Sequence, residues 1–127
     1  MRVKLYDEIH TIVFIEENFT ENLERIYYLT TKDIKIDEYI TDKTAQIKIY
    51  GKKLSSKDFK IVLKTLKDFH TLSWNKNYTY DGHYFIDENW KLILKFISGE
   101  DFISEGSIEK PENFEIVKEV IKDNSTY

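Results

Sequence analysis

The fold is decided by residues 55–70, which read SSKDFKIVLKTLKDFH. Apolar side chains recur there every three or four positions, the spacing that places them on one side of an α-helix. These side chains are Phe59, Val62, Leu63, Leu66 and Phe69. Ser55 or Ser56 provides an N-cap, and Asp58 adds a carboxylate to the first turn, where it favours the helix dipole. We therefore predict a helix from about residue 56 to His70 that packs its apolar side on a sheet.

Upstream of this helix, the sequence predicts strands. Residues 9–15 alternate in the two-residue period of a strand and are rich in β-branched side chains. Residues 25–30 favour a second strand, although an amphipathic helix capped by Asn18 or Thr20 is a competing interpretation. Residues 34–39 and 45–49 predict two more strands, the last of them closed by Gly51. The four strands would form an antiparallel meander.

Downstream of the helix, the pattern predicts a hairpin and a last helix. An aromatic connection over residues 72–85 contains the turn signal Asp81-Gly82. Residues 90–97 and 102–104 would pair as a C-terminal hairpin. Pro111 suits the first turn of a terminal helix whose inward residues are Phe114, Val117, Val120 and Ile121. The predicted fold class is therefore α+β: an antiparallel β meander with a packed helix, a C-terminal β hairpin and a terminal helix.

The composition is that of one small domain. The chain has 127 residues, of which 41% are hydrophobic, a size at which a single core buries most apolar surface. It has no cysteine, which excludes disulfides, thiolate metal sites and thiol nucleophiles. No apolar run approaches the ~20 residues of a membrane span, and the first residues lack the apolar core of a signal peptide. We therefore expect a single cytoplasmic domain over residues 1–127.

Three short patterns in the second half of the chain mark turn, cap and core positions. Leu72-Ser73-Trp74 and Tyr78 form an L-x-W...Y pattern. A D-G-x-x-W-x-L strand pattern is matched with a departure, because the segment from Asp87 to Leu92 is one residue shorter and lacks the glycine. A G-x-x-x-x-P-x-N-F pattern comes from Gly106, Pro111, Asn113 and Phe114. Together these patterns, over roughly residues 25–121, resemble an uncharacterised small bacterial α+β domain, which implies a fold and no assigned activity.

The sequence contains no recognisable catalytic motif. There is no G-x-x-x-x-G-K-S/T loop, no G-x-S-x-G elbow and no H-E-x-x-H helix. His10 has no partner at a useful spacing, and His70 falls on the apolar side of the predicted helix, where we expect a partly buried ring that caps the helix end. His83 and Asp87 match no known metal-ligand spacing. We therefore expect no enzyme, no cofactor and no metal site, with a hydrolase around His83 as the enzymatic alternative.

The distribution of charge gives the sharpest functional signal. Residues 43–67 carry eight basic side chains and one acidic one, although the whole chain has a net charge of −4. Five lysines, here called the lysine strip, follow one another at three- and four-residue steps: Lys53, Lys57, Lys60, Lys64 and Lys67. Like charges at these spacings repel on a helix, so stability alone does not favour them. The strip is typical of a docking surface for phosphates or an acidic protein, although a solvated helix side fits the same pattern.

Two further groups of side chains are candidates for contacts. Trp74, Tyr78, Tyr80 and Tyr84 offer large contact area at low entropic cost. Glu112, Glu115 and Glu119 form an acidic strip on the last predicted helix. If the two strips face outward on different sides, copies of the domain would associate, for example as a homodimer; if they adjoin, they pair within one molecule.

These features together lead to a functional hypothesis. We expect a non-catalytic binding or inhibitor protein that occludes a macromolecular partner, of the toxin-immunity or phage anti-defence type. The expected partner is a protein, because the strip lacks the arginines that bind phosphate through two parallel hydrogen bonds. No membrane partner is expected, because the chain has no long apolar run. The alternative is a nucleic-acid or polyanion-binding accessory protein that uses the lysine strip. The predicted contact residues are the lysine strip together with Trp74, Tyr78, Tyr80 and Tyr84.

Overall fold

A mixed sheet carries two helices on one of its faces. The computed structural model describes residues 5–40, 44–78 and 88–126, and within them the sheet has six strands. The strands are β1 (Ile9–Asn18), β2 (Leu23–Thr30), β3 (Gln46–Lys53), β4 (Asn77–Tyr78), β5 (Glu88–Phe96) and β6 (Phe102–Gly106). The helices are α1 (Ser56–Asp68) and α2 (Phe114–Ser125), and short 3-10 turns occupy Tyr6–Glu8, Ile36–Tyr39 and Thr71–Ser73.

The strand order is β3-β2-β1-β5-β6-β4. β1 pairs antiparallel with β2 on one side and with β5 on the other, and β5 forms an antiparallel hairpin with β6. The two edge strands instead run parallel to their neighbours, β3 to β2 and β4 to β6. Parallel neighbours need a long crossover connection, which residues 31–45 supply between β2 and β3.

The main core lies between the helices and one face of the sheet. α1 and α2 both contribute their apolar sides to it, and the strands contribute alternate residues, as the two-residue period of a strand requires. The fully buried members from the sheet include Ile12, Phe14, Leu29, Leu92 and Leu94; those from the helices include Phe59, Leu66 and Ile121. Burial of these apolar side chains stabilises the contact between the helices and the sheet, and it thereby fixes the orientation of both helices.

The backbone and one serine side chain set the ends of α1. The Oγ of Ser55 accepts a hydrogen bond from the backbone N–H of Asp58 at 3.2 Å, which confirms the predicted N-cap. At the other end, His70 adopts a left-handed conformation with φ of 54°, and its N–H donates to the carbonyl of Lys67 at 3.1 Å. The His70 ring is exposed, so the prediction of a partly buried ring is wrong. His70 lies beyond the last helical turn, where the helical period no longer applies.

The opposite face of the sheet has a smaller core of its own. Val13, Ile15, Ile26 and Ile93 are buried there, and Ile36, Tyr39 and Ile40 from the crossover connection pack over them. Residues 34–39 were predicted to form a strand, and this prediction is wrong. Their apolar side chains cover the second face through a 3-10 turn and do not extend the sheet.

The predicted α+β class is confirmed, with changes in its internal connections. The helix after Ser55, the C-terminal hairpin and the terminal helix are present, and residues 25–30 lie in a strand as favoured. The strand at 45–49 exists as part of β3 but runs parallel to β2, because the crossover returns the chain to the end at which β2 begins. α2 begins at Phe114 and not at Pro111, since Asn113 has a φ of 65° that interrupts helical backbone.

Leu66 and Ile61, two side chains of similar size on α1, test which side of this helix is buried. Leu66 is 0% exposed and Ile61 is 63% exposed on the same helix. We expect Leu66→Ala to lower the free energy of unfolding by about 2–5 kcal/mol, because it leaves a cavity in the main core. The matched variant Ile61→Ala should change it by less than about 0.5 kcal/mol. Urea denaturation measures both, and equal effects would contradict the packing of α1.

Candidate binding surface

The lysine strip lies on the side of α1 that faces away from the sheet. Its four helical members, Lys57, Lys60, Lys64 and Lys67, are all exposed. The apolar side of α1 holds them there, because residues at three- and four-residue spacing share one side of a helix. Lys53 belongs to β3 and precedes the N-cap Ser55, so it lies beyond the start of the helix. The structure thus brings four of the five lysines onto one exposed helical surface.

Among the described residues, most of this positive charge is not neutralised by an ion pair. The Nζ of Lys53 lies 3.1 Å from the Asp33 carboxylate, and that of Lys64 lies 4.0 Å from Asp68. Both pairs are largely exposed, and exposed ion pairs contribute little because water and salt screen them. Lys57, Lys60 and Lys67 form no ion pair with another residue in the described ranges. All three of these lysines are exposed.

One large apolar side chain is exposed beside the lysines. Ile61 is 63% exposed and lies on the outward side of α1, next to Lys57 and Lys64 by helical position. A single exposed isoleucine is ordinary on a protein surface. Beside the ammonium groups of Lys57 and Lys64, it adds an apolar side chain to the exposed side of α1.

The edge strand β3 carries two further lysines, Lys48 and Lys52, which the sequence-based list of contact residues does not include. Lys48 is exposed and Lys52 is half-buried. Both alternate with Tyr50, whose ring stacks on Tyr27 at 5.1 Å, so the three side chains lie on the helix-bearing face of the sheet. The signal was present in the alternation of residues 48, 50 and 52, which places the two lysines on one side of a strand.

Two of the four aromatic residues predicted to contact a partner are packed in or against the main core. Trp74 is 9% exposed and packs its ring against Trp90 and Phe114 at centroid distances of 6.3 and 6.1 Å. Tyr78 is half-buried against Trp90, and its hydroxyl accepts a hydrogen bond from the Asn75 backbone N–H. These two residues build the core, so we leave them out of the proposed contact surface. Tyr80 and Tyr84 lie outside the described residues.

The acidic strip of α2 is also exposed. Glu112, Glu115 and Glu119 all lie on the solvent side. The Lys118 ammonium donates to Glu115 at 2.8 Å, and this hydrogen bond holds the pKa of the Glu115 carboxyl below its ordinary value. α1 and α2 pack against each other, yet no ion pair joins the two strips in the described part of the chain. The two strips therefore remain separate patches of opposite charge.

The described histidines, His10 and His70, do not belong to a metal-binding group of described side chains. The Nδ1 of His10 lies 2.7 Å from the Thr11 hydroxyl, which is itself 2.8 Å from that of Thr30. Burial lowers the pKa of His10, and the nearby Lys32 and Lys95 lower it further against an opposing effect of Asp101. Among the described residues, no group of three or more His, Asp or Glu side chains could hold a metal ion. His83 and Asp87 lie outside these residues.

Two clefts on the described surface are small. One of about 240 Å³ lies between α1 and the start of β1, where His10, Lys32 and Lys60 surround apolar side chains. Another of about 80 Å³ lies above Trp90 and Phe114, with Arg25, Lys110 and Lys118 at its rim. Pockets for small-molecule ligands typically measure about 300–1,000 Å³. Neither cleft reaches this size, so the exposed charged surfaces are the stronger candidates for binding.

Comparisons with known proteins supply no relative for this arrangement. No protein-family model, no curated protein and no solved structure matches the chain. Neither helix of the described residues has the length and apolarity needed to cross a membrane.

The environment of His10 leads to a pH-dependent stability. Because its pKa is lowered from 6.5 in the folded protein, the unfolded chain takes up a proton more readily. The free energy of unfolding should therefore fall as the pH drops from 6.5 to below the lowered pKa of His10. His10→Gln should reduce this dependence of stability on pH. An NMR titration of the His10 ring should give a midpoint below 6.5 that Lys32→Gln raises. A midpoint at or above the ordinary value would contradict the described environment.

Proposed function

We propose that this chain is a non-catalytic binding protein that occludes an acidic protein partner in the cytoplasm, of the type represented by toxin-immunity and phage anti-defence proteins. The observation that carries the proposal is the exposure of Lys57, Lys60 and Lys67 without an ion pair in the described residues. Together with Lys64, these lysines follow one another at three- and four-residue steps, and each adjacent pair of like charges costs about 0.2–0.5 kcal/mol. A partner that supplies carboxylates removes this repulsion and gains attraction from each lysine.

The charge pattern supports a protein partner over a polyanion. The strip contains lysine and no arginine, so each contact is a single ammonium charge without bidentate geometry. α2 packs against α1, and the exposed carboxylates of the acidic strip on α2 would repel a long phosphate backbone that lies along α1. A folded partner, in contrast, can place carboxylates opposite the lysines and basic groups opposite Glu115 and Glu119. Complementarity of this kind steers association and sets specificity.

Charge reversal on α1 tests the proposal directly. We expect Lys57→Glu combined with Lys60→Glu and Lys64→Glu to abolish capture of a stoichiometric partner from cells of the source organism. Each reversed contact should cost about 1 kcal/mol or more, hence about a hundredfold in affinity for three. The matched control reverses Lys32, Lys35 and Lys76, which are also exposed and give the same change in net charge. Quantitative mass spectrometry of the captured material measures the loss.

Two outcomes of this experiment would contradict the proposal. The first is that wild-type protein captures no stoichiometric partner. The second is that both triple variants retain or lose the partner to the same extent. Circular dichroism of each variant separates lost binding from lost folding, because the reversed side chains are exposed and the core is unchanged.

The unpaired ammonium groups also fit a second candidate, a nucleic-acid-binding accessory protein, and salt dependence distinguishes the two. A single strand held by three or four lysines should show a slope of about −2 to −3 in a plot of log affinity against log salt concentration. We expect instead no binding of a short single-stranded oligonucleotide at physiological salt. Fluorescence anisotropy measures this, and a steep slope that the Lys57, Lys60 and Lys64 reversal removes would favour the nucleic-acid candidate.

A further inference from the structure

β3 leaves a long edge of the sheet open. It is the first strand in the order, and no strand in the described residues pairs with its outer side. It has eight residues, whereas β4 at the opposite edge has two. An open edge presents a row of backbone N–H and C=O groups that can pair with another strand. β3 therefore has the length that such pairing requires, whereas only two residues of β4 lie in the described part of the chain.

The hydrogen bonds to β2 identify which backbone groups of β3 point outward. The N–H of Gln46 donates to the Asn22 carbonyl at 2.9 Å, and the N–H of Leu54 donates to the Thr30 carbonyl at 2.8 Å. In a parallel pair, alternate residues direct their N–H and C=O groups toward the same neighbour. Even-numbered positions thus face β2, and the odd-numbered positions 47, 49, 51 and 53 face outward. Within the described ranges, no backbone hydrogen bond is formed by these outward groups.

The side chains along β3 define what kind of strand fits beside it. On the helix-bearing face, Lys48 and Lys52 flank Tyr50. On the other face, Ile49 is 42% exposed and Ile47 is half-buried. An added strand would place its alternate side chains next to these two rows. Carboxylates suit the lysine row, and β-branched apolar side chains suit the isoleucine row.

Charge disfavours one two-fold arrangement of a second copy at this edge. In a two-fold antiparallel pairing of β3 centred on Tyr50, Lys48 of each copy would lie directly opposite Lys52 of the other. Like charges directly opposite one another destabilise paired strands. The same lysines that oppose self-pairing would attract a strand with carboxylates at these positions, so charge complementarity selects an acidic occupant.

We infer that the open edge of β3 docks an extended segment of the partner protein, in which carboxylate side chains alternate with β-branched apolar ones. This inference rests on the proposed binding function, because it gives the form of the partner's contact. Backbone hydrogen bonds at positions 47, 49, 51 and 53 supply pairing, and the alternating side chains supply specificity. The lysine strip on α1, which follows β3 directly in the chain, contacts the rest of the same acidic partner.

Hydrogen exchange on the isolated protein tests the edge without knowledge of the partner. The probe is a synthetic peptide with capped ends in which Glu alternates with Val, added at millimolar concentration. We expect the amides of Ile47, Ile49 and Gly51 to exchange at least about tenfold more slowly with the peptide bound. The amides of Lys48 and Tyr50, which already pair with β2, should not change. NMR resolves each amide separately.

Peptide and protein controls isolate the two parts of the contact. A peptide of the same composition with its Glu and Val residues in separate blocks, and a peptide N-methylated at alternate positions, should both fail to protect the edge. Lys48→Glu with Lys52→Glu should weaken binding of the alternating peptide by about tenfold or more, since two attractive charges become repulsive. Ile49→Pro should prevent pairing yet leave β3 joined to β2, because it removes an outward N–H.

The results separate this inference from the proposed function. Absence of protection by the alternating peptide, or equal protection by the blocked peptide, would overturn the edge inference and show that the lysines of β3 serve only to prevent aggregation. A captured cellular partner that is lost on Lys57, Lys60 and Lys64 reversal but tolerates Ile49→Pro would also overturn it, while it upholds the proposed function. If Ile49→Pro unfolds, the N-methylated peptide decides the question.

Discussion

The packing of α1 on the sheet is the constraint from which the rest of the surface follows. Phe59 and Leu66 are almost completely buried against β1, β2 and β5. Because this side of α1 packs on the sheet, the opposite side faces solvent. The lysines at positions 57, 60, 64 and 67 are exposed for this reason. Their mutual repulsion opposes helix formation by a few tenths of a kcal/mol for each pair, far less than the burial of the apolar side stabilises it. The core thus holds a line of like charge that the helix alone would not favour.

The second determinant is the crossover between β2 and β3. Its residues Ile36, Tyr39 and Ile40 cover the small core on the second face, and the chain then returns to the end at which β2 begins. β3 is therefore parallel to β2 and is added at the edge of the sheet, with its odd-numbered backbone groups facing outward. Because α1 starts three residues after β3 ends, the basic residues between positions 46 and 67 lie on one edge strand and on the outward side of one helix. Two different kinds of contact, backbone pairing and ammonium attraction, adjoin in the chain.

The helix propensity, the capping serine and the period of the apolar residues predicted α1 almost to its ends. Strands β1, β2, β5 and β6 and the helix α2 were predictable for a similar reason, since each has a strong local period. The prediction failed where a local pattern has two interpretations. Ile34, Ile36 and Tyr39 suggest a strand by their spacing, but Ile36 and Tyr39 pack over a sheet face from a 3-10 turn. Tryptophan is common both at interfaces and in cores. The Trp74 ring packs against Trp90 and Phe114, and it therefore lies in the core.

By itself, the sequence determined the α+β class, the amphipathic helix and the line of lysines, because these depend on spacing along one element. Only the tertiary structure decided that β3 is an edge strand, that it runs parallel to β2, and that the side of β3 with Lys48, Tyr50 and Lys52 lies on the helix-bearing face of the sheet. These features depend on which strands become neighbours, and that choice is made by burial of both sheet faces at once. No local pattern within β3 contains this information.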